Sequence, residues 1–138
     1  MKSKKSKKPL LIGKGFFLLF LRSLVMINNS MTVKGENLSY KKQLHNSYFT
    51  GRARGFELIE AVAKSMYEKS KGKAVSIEVL MGSISSILEI INIHQLNLEE
   101  KNTKFNMKGI YYMDKKNLVG QKESIVMVLN FLESKIKK

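Results

Sequence analysis

Residues 75–98, VSIEVLMGSISSILEIINIHQLNL, are the most apolar stretch of the chain after residue 30. Apolar side chains recur in it at the three- and four-residue spacing of one helix face, and Ser76 is placed to cap the first turn. The opening VSIEV also alternates as a strand does, so residues 75–81 are compatible with either structure. The length of the stretch favours a helix over residues 76–96. Its stripe consists of Ile77, Leu80, Met81, Ile84, Ile87, Leu88, Ile91 and Leu98.

Three further apolar residues of this stretch, Val79, Ile90 and Ile93, fall outside the stripe. A chain of 138 residues has few other elements that could cover them. Apolar surface left exposed in this way is typical of an interface. We therefore expect the helix to be central or to contact a second copy of the chain, and we predict a homodimer.

Two more helices are predicted on either side of the central one, over residues 54–70 and 121–136. Both carry an apolar stripe at helical spacing. Between the last two helices, the apolar and aromatic residues 110–113 predict a short strand or hairpin insert around residues 104–118. The fold class expected from these segments is mainly α, a small helical bundle.

The first 30 residues differ from the rest, because they contain seven lysines and arginines, no acidic residue and an apolar centre. One interpretation is an extension that is not natively part of the protein, with Met26 or Met31 as the functional start. A second is a membrane anchor over residues 9–27, which is long enough to cross a bilayer but is interrupted by Lys14 and Arg22. A third is a cleaved signal, although no small-residue cleavage site follows.

The composition changes abruptly at residues 28–30, so we predict that residues 31–138 form a single globular domain. The leader is then expected to be dispensable for folding. A membrane is a partner only if the leader is native, and the protein is otherwise expected in the cytoplasm.

The charge is strongly positive, with a formal net charge of +14, and only three of the 25 basic residues are arginines. The chain has no cysteine, which excludes disulfides, thiol catalysis and cysteine metal sites. His45 and His94 are the only histidines, and neither has a second ligand at metal-binding spacing. We therefore predict a protein without enzymatic activity, metal or cofactor.

The best candidate for binding is a run in which cations alternate with aromatic rings. Cations can hold phosphates while rings stack on bases, so this pattern is typical of nucleic-acid binding. Two glycines, Gly51 and Gly55, predict that its arginines lie in an exposed loop whose charge could be reversed without unfolding the protein. The predicted site residues are Lys41, Lys42, Tyr48, Phe49, Arg52 and Arg54.

These features predict a small basic protein that binds nucleic acid or an acidic protein partner. Lys101, Lys104, Lys108, Lys115 and Lys116 form a second basic patch. One alternative is a protein-interaction module, such as an inhibitor or accessory factor, that acts through the apolar face of the central helix. The other is a small protein anchored in a membrane through residues 9–27.

Overall fold

A computed structural model of the chain describes residues 9–137. Over these residues the chain forms four helices and one pair of two-residue strands. The predicted fold class, a mainly α, small helical bundle, is therefore confirmed. In chain order the elements are β1 (Leu11–Ile12), α1 (Lys14–Ser30), α2 (Tyr40–Lys69), β2 (Val75–Ser76), α3 (Ile77–Phe105) and α4 (Lys108–Ile136).

For each of the three predicted helices, the observed helix agrees with the predicted bound to within one residue at one end and extends further at the other. The helix predicted over residues 54–70 begins already at Tyr40, where Ser39 caps it by accepting from the backbone N–H of Lys42. The helix predicted over residues 121–136 begins already at Lys108. Glycines and aromatic residues made the missing parts resemble loops and strands, but packing between helices outweighs those local preferences.

The strand or hairpin predicted around residues 104–118 is wrong, because these residues form the end of α3, a tight turn and the start of α4. Asn106 ends α3 in the left-handed conformation, with φ of 50°. The side-chain oxygen of Asn102 then accepts from the backbone N–H of Met107 at 2.9 Å. The chain thereby reverses direction in two residues, and residues 110–113 continue as helix.

The ambiguity over residues 75–81 is settled by a strand that leads directly into a helix. Val75 and Ser76 pair antiparallel with Ile12 and Leu11. The next residue, Ile77, begins α3, and the side chain of Ser76 accepts from the backbone N–H of Val79 at 3.3 Å. The strand pair therefore joins the start of α3 to the residues that precede α1.

Helix α1 packs into the core, so the predicted domain boundary between residues 30 and 31 is wrong. Phe17, Leu21 and Val25 point inward and are almost completely buried, and Asn28 continues the same face. The inward-facing side of this helix could not be recognised from the sequence, because apolar residues also occupy its outward side. Residues 2–8, which carry the basic run of the predicted leader, lie outside the described residues.

Tyr67 ties the segment before α1 to α2. Its ring is completely buried, and its hydroxyl donates to the carbonyl of Ile12 at 3.0 Å. Burial raises the pKa of Tyr67 to about 12, so the hydroxyl remains protonated and able to donate across the neutral pH range. The segment before α1 is thus held by two contacts, the pairing of β1 with β2 and the hydrogen bond from Tyr67.

Helices α2 and α4 run parallel and touch through their backbones at glycine residues. A Cβ atom on Gly51 would lie 2.0 Å from the carbonyl oxygen of Asn117, and one on Gly120 would lie 2.2 Å from that of Tyr48. A Cβ atom on Gly55 would lie 2.7 Å from the carbonyl oxygen of Gln121. The loop predicted around Gly51 and Gly55 is therefore wrong. These glycines lie inside a helix, where they allow a close crossing.

Replacing Gly51 by alanine is expected to destabilise the protein by at least about 2 kcal/mol, because the two backbones must separate to admit a methyl group. Gly82 is the matched control, since it lies inside α3 and a methyl group added there would have no atom within 4 Å apart from the adjacent backbone of its own helix. Gly82→Ala should be neutral or stabilising by up to about 1 kcal/mol, because alanine is the better helix former. Chemical denaturation of both variants measures the difference, and equal effects would contradict the close crossing.

A chain that starts at Met31 is expected to lose its cooperative thermal melt. It lacks four buried apolar side chains, those of Ile12, Phe17, Leu21 and Val25. Each is worth about 1.5–3 kcal/mol, in a domain whose total stability is on the order of 5–15 kcal/mol. Within the full chain, Leu21→Ala should cost about 2–5 kcal/mol, whereas Leu19→Ala on the exposed side should change stability by less than about 0.5 kcal/mol. A cooperative melt of the shortened chain, followed by circular dichroism, would show that α1 is not part of the folding unit.

Candidate functional site

The six residues predicted to bind a ligand all lie on the first half of α2, but they do not share one exposed surface. At 100° per residue, Lys41, Tyr48 and Arg52 fall on one side of the helix. Lys42 and Phe49 lie beside them, and Arg54 lies on the opposite side. The structure therefore separates Arg54 from the rest of the predicted cluster.

Arg52 is a structural residue that connects three helices, and its side chain is only 17% exposed. Its Nε donates to the side-chain oxygen of the buried Asn28 in α1 at 2.8 Å. Its guanidinium also pairs with the carboxylate of Glu123 in α4 at 3.2 Å. The expectation that Arg52 is exposed in a loop is wrong, because the helix directs it into the junction of α1, α2 and α4.

The aromatic residues of the predicted cluster pack against their neighbours. The hydroxyl of Tyr48 donates to the carboxylate of Glu123, and this hydrogen bond, together with burial, raises the pKa of Tyr48. The ring of Phe49 lies between those of His45 and Tyr48, with centroids 4.8 and 4.9 Å away. Both Tyr48 and Phe49 are half-buried, so their rings have limited surface for stacking on a base.

Arg54 lines an open groove formed by residues of α2, α3 and α4. Its side chain is 57% exposed and pairs weakly with Glu57, at 3.8 Å. The groove has a volume of about 970 Å³ and combines apolar side chains, such as Leu58 and Ile87, with polar ones. Among residues 9–137, no three histidine or acidic side chains converge in a way that could hold a metal ion.

The start of α2 meets the start of α4, and this contact brings the two basic regions of the sequence together. The hydroxyl of Tyr40 donates to the carbonyl of Gly109 at 2.8 Å. Lys41 and Lys42 follow Tyr40 directly, and Lys108 precedes Gly109. Sequence reasoning treated the two basic regions separately, because nothing in the pattern showed that these helix starts are neighbours.

We call this end of the molecule the basic end and define it by four exposed lysines and three exposed aromatic rings. Over the described residues, none of these lysines forms an ion pair. No residue in the range 92–119 is buried, so the turn between α3 and α4 is accessible. The basic end consists of Lys41, Lys42, Lys104, Lys108, Tyr40, Phe105 and Tyr112.

The outer face of α3 is also apolar and accessible. Val79, Ile90 and Ile93 are exposed, as their positions off the main stripe predicted, and Leu96 extends the same region. Within the described residues, α3 is the one helix long and apolar enough to cross a membrane, a property shared by core helices of soluble proteins. The homodimer stays a prediction, which sedimentation velocity of the full chain would test.

Separate replacement of the two predicted arginines should distinguish their roles. Arg52→Ala is expected to lower the free energy of unfolding by about 2 kcal/mol, because it leaves Asn28 and Glu123 without their shared partner. Arg54→Ala should change it by less than about 0.5 kcal/mol, since the pair with Glu57 is exposed. Urea denaturation measures both changes. An Arg52→Ala variant with an unchanged free energy of unfolding would contradict a stabilising role for the contacts of Arg52 with Asn28 and Glu123.

Comparison with protein families, with curated proteins and with solved structures finds no match to this chain. The candidate site therefore has to be interpreted from its own residues. Its chemistry is that of four exposed lysines beside exposed aromatic rings, at the accessible end of a helical bundle.

Proposed function

We propose that the protein is a non-enzymatic nucleic-acid-binding protein and that the basic end is its binding surface. The observation that carries this proposal is the hydrogen bond from Tyr40 to Gly109, which joins Lys41 and Lys42 to Lys108 in one region. Lysines act as mobile point charges on phosphate oxygens, so such a region favours a sugar-phosphate backbone without demanding one base sequence.

The N-terminal ends of α2 and α4 add to the positive electrostatic potential of this region. The two helices are parallel, so both direct their N-termini, the positive ends of their dipoles, towards the basic end. Neither helix has an acidic residue in its first turn. The positive charge of Lys41, Lys42 and Lys108 is therefore not compensated where the helices begin.

Exposed rings at the same end favour nucleic acid over an acidic protein as the partner. Tyr40 and Tyr112 are exposed next to the lysines, and Phe105 is exposed in the turn. Rings in such positions can stack on unpaired bases, each stack being worth about 1–3 kcal/mol. An acidic protein surface would use the lysines but would leave the rings without a comparable partner.

Lys42→Glu together with Lys108→Glu should weaken binding to single-stranded DNA or RNA while the fold is retained. Glutamates in the first turns of α2 and α4 interact favourably with the helix dipoles, so the melting temperature should hold or rise slightly. The slope of log affinity against log salt should shrink by about two, corresponding to two lost phosphate contacts. Fluorescence anisotropy with a labelled oligonucleotide measures both quantities.

The matched control is Lys69→Glu with Lys73→Glu, which changes the net charge equally at the opposite end of α2. This control should retain most of the affinity. Equal losses in the two variants would show a general charge effect without a defined surface. Absence of binding by the unmodified chain at about 50 mM salt, where phosphate contacts are strong, would refute the proposal.

A protein-interaction module is the second candidate, and the exposed outer face of α3 favours it. This face has only Glu78 and Glu89 as charged residues between positions 77 and 98, so it lacks the cations that nucleic acid requires. It fits a second copy of the chain or another apolar protein surface. Purification of a defined complex that survives nuclease treatment would support this candidate over nucleic-acid binding.

A further inference from the structure

Helix α1 has a second apolar stripe, on the side that faces away from the core. Phe16, Leu19, Met26 and Ile27 recur at the spacing of one helix face, opposite the buried Phe17, Leu21 and Val25. The side chains of this outer stripe are exposed, with Leu19 at 68% and Ile27 at 56%. The helix therefore presents apolar residues to solvent along its full length.

Two exposed apolar side chains also precede the helix. Leu10 and Leu11 are exposed beside the strand pair, whereas Ile12 is buried. A set of exposed leucine, phenylalanine, methionine and isoleucine side chains on one short segment is unfavourable in water and marks a surface that is covered in use. We call the set formed by Leu10, Leu11, Phe16, Leu19, Met26 and Ile27 the α1 outer stripe.

The charge of this region indicates what covers the stripe. Residues 1–30 contain seven lysines and arginines and no acidic residue. Five of the seven precede Pro9, outside the described residues, and Arg22 is paired with Glu60 of α2. An exposed apolar helix face that follows a cluster of basic residues in the sequence offers two membrane signals, apolar side chains for the acyl chains and positive charge for anionic headgroups. The headgroups of an anionic bilayer attract the lysines, and its acyl chains accept the apolar side chains.

We propose that α1 docks flat on the surface of an anionic lipid bilayer through the α1 outer stripe. The inner face of α1 is buried in the protein core, so the helix is not free to cross the membrane. Its 17 residues would also extend only about 25 Å, less than the hydrocarbon thickness of about 30 Å. The membrane anchor expected from residues 9–27 is thereby replaced by a peripheral contact.

A second copy of the chain is a poorer occupant of this stripe. Two copies joined through this stripe would each contribute an N-terminal segment whose sequence before Pro9 has five lysines and no acidic residue. Like charges in such an arrangement oppose association. The outer face of α3, which has no nearby cluster of cations, is the more suitable surface for self-association.

The test is co-sedimentation of the full chain with lipid vesicles. Vesicles of phosphatidylcholine with about one third phosphatidylglycerol should bind the protein, and vesicles of phosphatidylcholine alone should bind it at least about tenfold more weakly. Leu19→Ser with Ile27→Ser should lower binding to the anionic vesicles by about tenfold. Both positions are exposed, so circular dichroism should show an unchanged helical spectrum.

Val79→Ser with Ile93→Ser is the control, because these α3 residues are 59% and 56% exposed and receive the same substitution. This variant should bind anionic vesicles as the unmodified chain does. Absence of binding by the unmodified chain, undiminished binding of the α1 variant, or equal losses in the two variants would each overturn the proposal. The oligonucleotide affinity of the α1 variant should be unchanged, so failure of this proposal is distinguishable from failure of nucleic-acid binding at the basic end.

Discussion

The backbone contact between α2 and α4 is the constraint on which the rest of the structure depends. Three glycines, Gly51, Gly55 and Gly120, let the helices approach until main-chain atoms touch. Hydrogen bonds from Ser124 to the carbonyl of Arg52, and from Asn117 to that of Ser47, fix their register. Because the helices are parallel and in this register, their first turns coincide, and lysines that are far apart in sequence become neighbours.

Charge has two different roles in this protein, and burial separates them. Arg52 and Glu60 are held inside the fold, where Arg52 links α1 to α4 and Glu60 accepts from Arg22 at 2.5 Å. Their partners come from other helices, so they stabilise the packing of α1 against α2. Lys41, Lys42 and Lys108 are exposed and have no acidic partner in the described part of the chain. Charges of this second kind are the ones available to a ligand.

The two proposed surfaces lie on different parts of the bundle and would bind their partners through different interactions. The basic end combines lysine charge with exposed rings at the starts of α2 and α4. The α1 outer stripe combines apolar side chains with the cations of the first 30 residues. Phosphate is the shared chemistry of nucleic acid and anionic lipid, but only the bilayer offers an apolar phase for Leu19 and Ile27. The two functions can therefore be separated by substitution.

The sequence by itself determined the helical class, the helix cap at Ser76 and the exposure of Val79, Ile90 and Ile93, because apolar periodicity reports which side of a helix faces the core. Tertiary structure alone decided that α1 belongs to the core, since its apolar residues surround the helix and conceal its register. Tertiary structure also decided that Gly51 and Gly55 are contact points within a helix. The G-x-x-x-G spacing of these two residues is a signal for close helix packing, but the partner, Gly120, lies 65 residues further along the chain. Which helices meet depends on contacts between distant segments, and local pattern carries no information about them.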